Sequence, residues 1–157
     1  MGSTRLKFSK LANLIVFLII FTIMSLPIHE GGHSLAAQCF GAEGYIELNW
    51  FTVSGMFHGS GDLETWQFAI VAFAGGGFVA LLYGLMLWFA NVGIKWDEDD
   101  KTPIRFILCG QLGYALGEIS LAFEPDLFPI LGGIGTFLGL AVGLFWSLPK
   151  LARWWDQ

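Results

Sequence analysis

Basic side chains are scarce in this chain, and their scarcity excludes one broad class of partner. The sequence carries 8 Lys and Arg against 13 Asp and Glu, for a formal net charge of -5. A nucleic-acid-binding protein needs a basic patch or stripe that neutralises phosphates. We therefore expect no nucleic-acid partner.

Cysteine and histidine are also rare. The 2 cysteines form no CxxC pair and no disulfide framework, and Cys39 is expected to be a small buried residue. With 3 histidines, the chain has too few for the usual ligand set of a di-iron oxidase or desaturase. His29 and His33 are also unsuited to haem, because residues four apart on one helix cannot take opposite axial positions.

Apolar residues, by contrast, are abundant. They make up 55% of the 157 residues, and the mean hydropathy is +0.63, which indicates an all-α integral membrane protein in a single domain, residues 1–157. A helix needs about 20 residues to cross the hydrocarbon core. Four segments are long enough, which predicts about four transmembrane helices: Leu11 to Phe40, Trp66 to Ile94, Pro103 to Phe123 and Leu127 to Leu148.

The first apolar run, Leu11 to Ile28, is longer than the roughly 7 to 15 residues of a secretory signal, so we expect it to remain uncleaved. Gly41 to Glu64 differs in character, because β-prone residues such as Tyr45 and Val53 are punctuated there by glycines. This pattern predicts a short β-hairpin between the first and second helices. Its open edges cannot face lipid, so it should be membrane-associated or buried in protein.

The basic residues predict an orientation in the membrane. All of them precede the first span, bracket the second connection or follow the fourth span: Arg5, Lys7, Lys10, Lys95, Lys101, Arg105, Lys150 and Arg153. Cytoplasmic loops are enriched in Lys and Arg. The prediction is that both termini are cytoplasmic and that the connection Gly41 to Glu64 is extracytoplasmic.

His29-Glu30-Gly31-Gly32-His33 lies at the end of the first apolar run. On a helix, His29 and His33 share one face and could bind one zinc ion, while Glu30 beside them could act as general base on a zinc-bound water. Ionisable residues at a membrane-helix centre cost roughly 2.5 to 3.5 kcal/mol each, so three of them here indicate a function. The rise from Leu11 to His29 is roughly 27 Å, which places the site toward the extracytoplasmic side.

A catalytic zinc usually has three protein ligands and one open position. Glu118 stands in an otherwise apolar stretch and is a candidate metal ligand, substrate-binding group or buried neutral carboxyl. Asp126 opens the fourth span, where it is either a ligand or a helix cap. His58 is a candidate contact on the substrate side.

The stretch His29 to Gly41 resembles the HExGH-x-L-A-A-x-x-F-G motif of the site-2 protease family of intramembrane zinc metalloproteases. Gly75-Gly76-Gly77 resembles the family's next motif, in which Gly76 stands where proline is usual. The family's second catalytic motif has an Asn and, eight residues later, an Asp followed by Gly. The resemblance places Glu118 at the Asn and Asp126 at the Asp that is the third ligand, with Leu127 in place of the Gly.

The resemblance implies a minimal intramembrane zinc endopeptidase, with Glu30 catalytic and His29, His33 and Asp126 as zinc ligands. Glu118 and His58 would bind substrate or support the ligands. The substrate would be a transmembrane or membrane-adjacent segment of another protein, and the oligomeric state stays open. At Gly76 and Leu127 the chain departs from the family's motifs. These departures motivate an alternative function, a non-catalytic membrane scaffold or binding protein that retains the protease fold.

Overall fold

The computed structural model describes the backbone of residues 2–51, 54–93 and 96–156 and the side chains of 11–51, 54–93, 96–98, 100–149 and 152. Val53, Ile94 and Lys95, which entered the predictions above, lie outside the described residues, as do the side chains of Arg5, Lys7, Lys10, Lys150 and Arg153. Within this part of the chain, helices and strands follow in the order α1 (Gly2–Cys39), β1 (Glu43–Asn49), β2 (Ser54–Ser60), α2 (Thr65–Val92), α3 (Glu98–Glu118) and α4 (Phe128–Asp156).

The predicted helical framework, with one short β-hairpin between the first and second helices, is confirmed. Not every helix has the predicted apolar character. Among the described residues, three helical segments are long and apolar enough to cross a membrane: Leu11–Cys39, Thr65–Val92 and Pro125–Pro149. The predicted span Pro103 to Phe123 is not among them. Its α-helix begins at Glu98, ends at Glu118 and continues into a 3-10 turn, Ile119–Ala122.

The position of α3 in the bundle explains its more polar sequence. It packs against α1, α2 and α4, and even Lys101, Thr102 and Arg105 near its start are buried. Arg105 donates to Glu98 at 2.8 Å and lies over the Trp146 ring of α4. An inner helix can carry polar residues because they face protein partners rather than lipid.

Gly41 ends α1 and turns the chain into the hairpin. Its φ of 77° lies in the left-handed region that favours glycine. The N–H of Gly41 donates to Gln38 and that of Ala42 to Ala37, both at 3.0 Å, the paired bonds of a Schellman cap. The antiparallel strands β1 and β2 then pair Tyr45 with His58 and Leu48 with Gly55, which returns β2 to the side of α1.

Hydrogen bonds fasten α1 to α2 below the His-Glu motif. Tyr83 donates to the carbonyl of Phe21 at 2.9 Å, and its hydroxyl also lies 3.0 Å from Ser25 Oγ. The helix continues through Pro27, which has no N–H to donate within the helix. These contacts between α1 and α2 fix the position, along the bundle axis, of the segment that carries His29.

Glycines let α3 and α4 approach to backbone contact. A Cβ added to Gly135 would collide with the carbonyl of Gly113, and one added to Gly139 with the carbonyl of Cys109. Gly133, on the same helix, has nothing within 4 Å of such a Cβ. Small residues at a helix interface permit this close packing, which favours association within lipid.

We predict that Gly135→Ala destabilises the protein by about 1 to 3 kcal/mol, because overpacking at a rigid backbone contact cannot be relieved by a side chain. The matched Gly133→Ala adds the same methyl group in open space and should be neutral or stabilising by up to about 1 kcal/mol. Thermal unfolding of both variants in one detergent measures the difference. Equal melting temperatures would show that the α3–α4 contact is not as close as described.

Candidate metal centre

The two motif histidines lie on one face of α1 and point into the bundle. His29 and His33 are each 8% exposed, and Glu30 is 5% exposed. The Nε2 atoms of the two rings are 3.1 Å apart. This is the arrangement that the spacing of four residues predicts for a helix.

A carboxylate from α3 completes the group. Glu118 Oε1 lies 3.1 Å from His29 Nε2 and 3.5 Å from His33 Nε2. Glu118 is 4% exposed, and within the described part of the chain its other oxygen, Oε2, is buried without a hydrogen-bond partner. His29, His33 and Glu118 thus form a buried group that could hold a metal ion.

Hydrogen bonds on the far side of each ring fix the tautomers. His33 Nδ1 lies 2.7 Å from the carbonyl oxygen of Val71, and His29 Nδ1 lies 3.3 Å from Gln111 Oε1. Both oxygens accept, so each Nδ1 donates its proton, and in the neutral ring each Nε2 then presents a lone pair to the cluster. Metal-binding histidines are oriented in this way by the partners of their second nitrogen.

Three electron-pair donors therefore converge on one small volume. Two Nε2 lone pairs and a carboxylate oxygen repel one another when they are this close and buried, because the low dielectric screens little of the repulsion. The cluster is stable only with protons or a cation between its members. This requirement is what makes the group a candidate metal centre.

Glycines leave room for the centre. A Cβ on Gly75 of α2 would collide with His33 Nε2 and would lie 2.8 Å from His29 Nε2. A Cβ on Gly55 of β2 would lie 2.6 Å from Glu30 Cγ, and the backbone N–H of Phe57 hydrogen-bonds to Glu30. Helix α2 thus packs against the histidines, and the hairpin packs against Glu30.

Beside the centre is a cavity of about 470 Å³ that both His29 and Glu30 line. The residues that line it belong to α1, α3, α4 and the start of β2. In the described part of the chain α1 and α4 do not pack along one another, so the cavity lies between them. The remaining lining residues are Thr22, Ser25, Leu26, Ser54, Gly55, Phe106, Ile107, Gly110, Gln111, Tyr114, Thr136 and Leu140. A molecule in this cavity could reach the His29 imidazole and the Glu30 carboxylate together.

Other candidates from the sequence fall elsewhere. Asp126 is exposed and lies in the 3-10 turn Pro125–Leu127, so the buried carboxylate at the histidines is that of Glu118. His58 pairs with Glu47 across the hairpin at 3.1 Å and stacks on Tyr45, outside the cluster. The expectation that Cys39 is buried is wrong, since it is exposed at the end of α1.

Sequence reasoning missed the supporting residues Gln111 and Tyr114. Gln111 is a polar residue in an apolar stretch seven positions before Glu118, which is two turns of helix and so the same face. That spacing could have indicated it. Gly75 was recognised as part of the Gly75-Gly76-Gly77 motif, but its contact with the histidines was not predicted, because that contact depends on how closely α2 approaches α1.

Comparison of the chain with protein-family models, curated proteins and solved structures gives no match.

The geometry predicts different effects for the two acidic candidates. Glu118→Gln should weaken metal binding by more than about 100-fold, because loss of a supporting residue alone costs 10- to 100-fold. Asp126→Asn should retain full metal content. Metal analysis of both purified variants after dialysis against a weak chelator measures this, and the reverse result, with metal lost from Asp126→Asn alone, would overturn the assignment of Glu118.

Proposed function

We propose that the chain is an integral-membrane zinc endopeptidase that hydrolyses peptide bonds in or next to a transmembrane segment, as its resemblance to site-2 proteases implies. The observation that carries the proposal is the buried triangle of His29 Nε2, His33 Nε2 and Glu118 Oε1 beside a cavity that also contains Glu30. Apolar helices on either side of that cavity support a membrane location.

The donor set favours zinc. Two imidazoles and one glutamate are the ligands of several catalytic zinc sites, including that of thermolysin. Ligands placed 2.0–2.1 Å from a tetrahedral ion are separated by about 3.3 Å. The separations here are 3.1, 3.1 and 3.5 Å, so the triangle has the required size.

When bound, the ion would supply Lewis-acid polarisation of the scissile carbonyl and activation of water. Glu30 would accept a proton from the attacking water as its oxygen bonds to the carbonyl carbon. The carbon–nitrogen bond would then break, with Glu30 returning the proton to the leaving amine. The products are a carboxylic acid and an amine, so Glu30 ends each cycle in its starting state.

The substrate would reach the centre through the cavity between α1 and α4. A helix hides its peptide bonds in internal hydrogen bonds, so the cleaved segment must be locally extended. Ser54 and Gly55 at the start of β2 line the cavity, and an extended segment could lie along this strand by β-augmentation. The hairpin would then both hold Glu30 and align the substrate.

Glu30→Gln separates the protease from a non-catalytic scaffold. The amide cannot accept the proton, so cleavage of a model transmembrane peptide bearing a fluorophore and quencher should fall at least about 100-fold. Zinc content should stay unchanged, because Glu30 is not in the ligand triangle. A variant that cleaves at the wild-type rate, or a zinc-loaded wild type without cleavage of any tested transmembrane peptide, would contradict the proposed activity.

The proposal includes an orientation in which both termini are cytoplasmic and the hairpin is extracytoplasmic, as the distribution of basic residues predicts. Ser60 precedes α2 and Asp97 follows it, so a membrane-spanning α2 puts them on opposite sides. In a background with Cys39→Ser and Cys109→Ser, a membrane-impermeant maleimide applied from outside should label Ser60→Cys. Asp97→Cys should be protected until the cells are opened, and the opposite labelling would reverse the topology.

A further inference from the structure

We propose that Tyr114 is a further catalytic residue, whose phenol hydroxyl donates a hydrogen bond to the substrate carbonyl oxygen as that oxygen gains negative charge. The inference rests on the proposed peptidase activity and deepens it. It concerns a residue that neither the sequence motif nor the ligand triangle includes.

Tyr114 lies on α3 between two residues that contact His29. Gln111, Tyr114 and Glu118 lie at helical spacing on one face, and their flanking members bind the two nitrogens of the same ring, His29 Nδ1 and Nε2. Tyr114 lies between them, with its ring centroid 5.6 Å from that of His29. Its ring is therefore held directly against a ligand of the candidate metal centre.

The side chain of Tyr114 contacts both the helix bundle and the cavity. The ring packs edge-on against Phe128 at 5.7 Å and lines the cavity with His29 and Glu30. Among the described residues the hydroxyl has no protein hydrogen-bond partner, and it does not belong to the buried polar atoms that lack one. The hydroxyl is thus an accessible donor on a residue that lines the cavity.

Tyr83, by contrast, uses its hydroxyl in hydrogen bonds inside the bundle. Its hydroxyl is bonded to the Phe21 carbonyl and contacts Ser25, and the residue is 3% exposed. Buried tyrosine hydroxyls usually find such a partner. The difference makes Tyr83 the structural tyrosine and the matched control for Tyr114.

During peptide hydrolysis, a hydrogen-bond donor beside the metal centre would act on the substrate carbonyl oxygen. As the water oxygen bonds to the carbonyl carbon, the electron pair of the carbon–oxygen double bond moves onto the oxygen. A hydrogen bond from Tyr114 stabilises that charge, and the O–H proton stays on the phenol throughout. Donors aimed at a developing oxyanion act most strongly where water is excluded.

The test compares Tyr114→Phe with Tyr83→Phe in zinc-loaded protein. Removal of one oxyanion donor typically lowers kcat about 100- to 1000-fold, so Tyr114→Phe should lose about 100-fold in kcat on the quenched transmembrane peptide with little change in KM. Its affinity for a phosphinic tripeptide, whose phosphinate oxygens imitate the oxyanion, should fall at least about 10-fold. Tyr83→Phe should keep wild-type kcat and phosphinic tripeptide affinity.

The phenylalanine ring preserves the contacts with His29 and Phe128, so zinc content and the visible spectrum of the cobalt-substituted protein should match the wild type. Unchanged kcat and unchanged phosphinic tripeptide affinity in Tyr114→Phe would overturn the role of Tyr114 while leaving the peptidase proposal intact. Loss of zinc in Tyr114→Phe would also overturn it, in favour of a purely structural role. A zinc-loaded wild type that neither cleaves the peptide nor binds the phosphinic tripeptide would overturn both proposals.

Discussion

The architecture around the centre depends on the convergence of two imidazole nitrogens and one carboxylate oxygen in a buried volume. Three acceptors within 3.5 Å of one another are unfavourable unless protons or a cation lie between them. Helix α1 supplies the histidines, α3 supplies Glu118 and α2 passes close enough to orient His33 through Val71. The neighbouring helices therefore hold an electrostatically costly arrangement, which is typical of a functional site rather than of a packed core.

Close backbone approach is what allows this convergence. Gly75 brings α2 against the histidines, Gly55 brings β2 against Glu30, and the Gly113 to Gly135 contact brings α4 against α3. A Cβ at Gly113 or Gly135 would collide with backbone and one at Gly75 with the imidazoles, whereas a Cβ at Gly55 would displace the Glu30 side chain. The same contacts leave a cavity between α1 and α4 that is lined by both Glu30 and Tyr114.

Much of the helical framework, and the part of the site that comes from the His29 to His33 motif, could be predicted from the pattern of residues close together in the sequence. Apolar runs indicated the helices, glycines among β-prone residues indicated the hairpin, and the spacing of His29 and His33 put both on one face. The resemblance placed Asp126 with the two histidines, whereas the structure brings Glu118 to them. Local sequence could not decide between these two acidic residues, because the choice depends on where α3 ends and what it packs against. The apolar character expected for α3 was likewise overestimated, since a helix surrounded by others tolerates charges such as Arg105.

Whether the protein binds a metal, and through which ligands, tests the central claim most directly. X-ray absorption at the zinc edge, together with metal analysis of the purified protein, should give about one zinc per chain with a first shell of two imidazole nitrogens and carboxylate oxygen at about 2.0 to 2.2 Å. A protein that binds no metal when supplied with zinc, or a zinc shell without imidazole, would contradict the account.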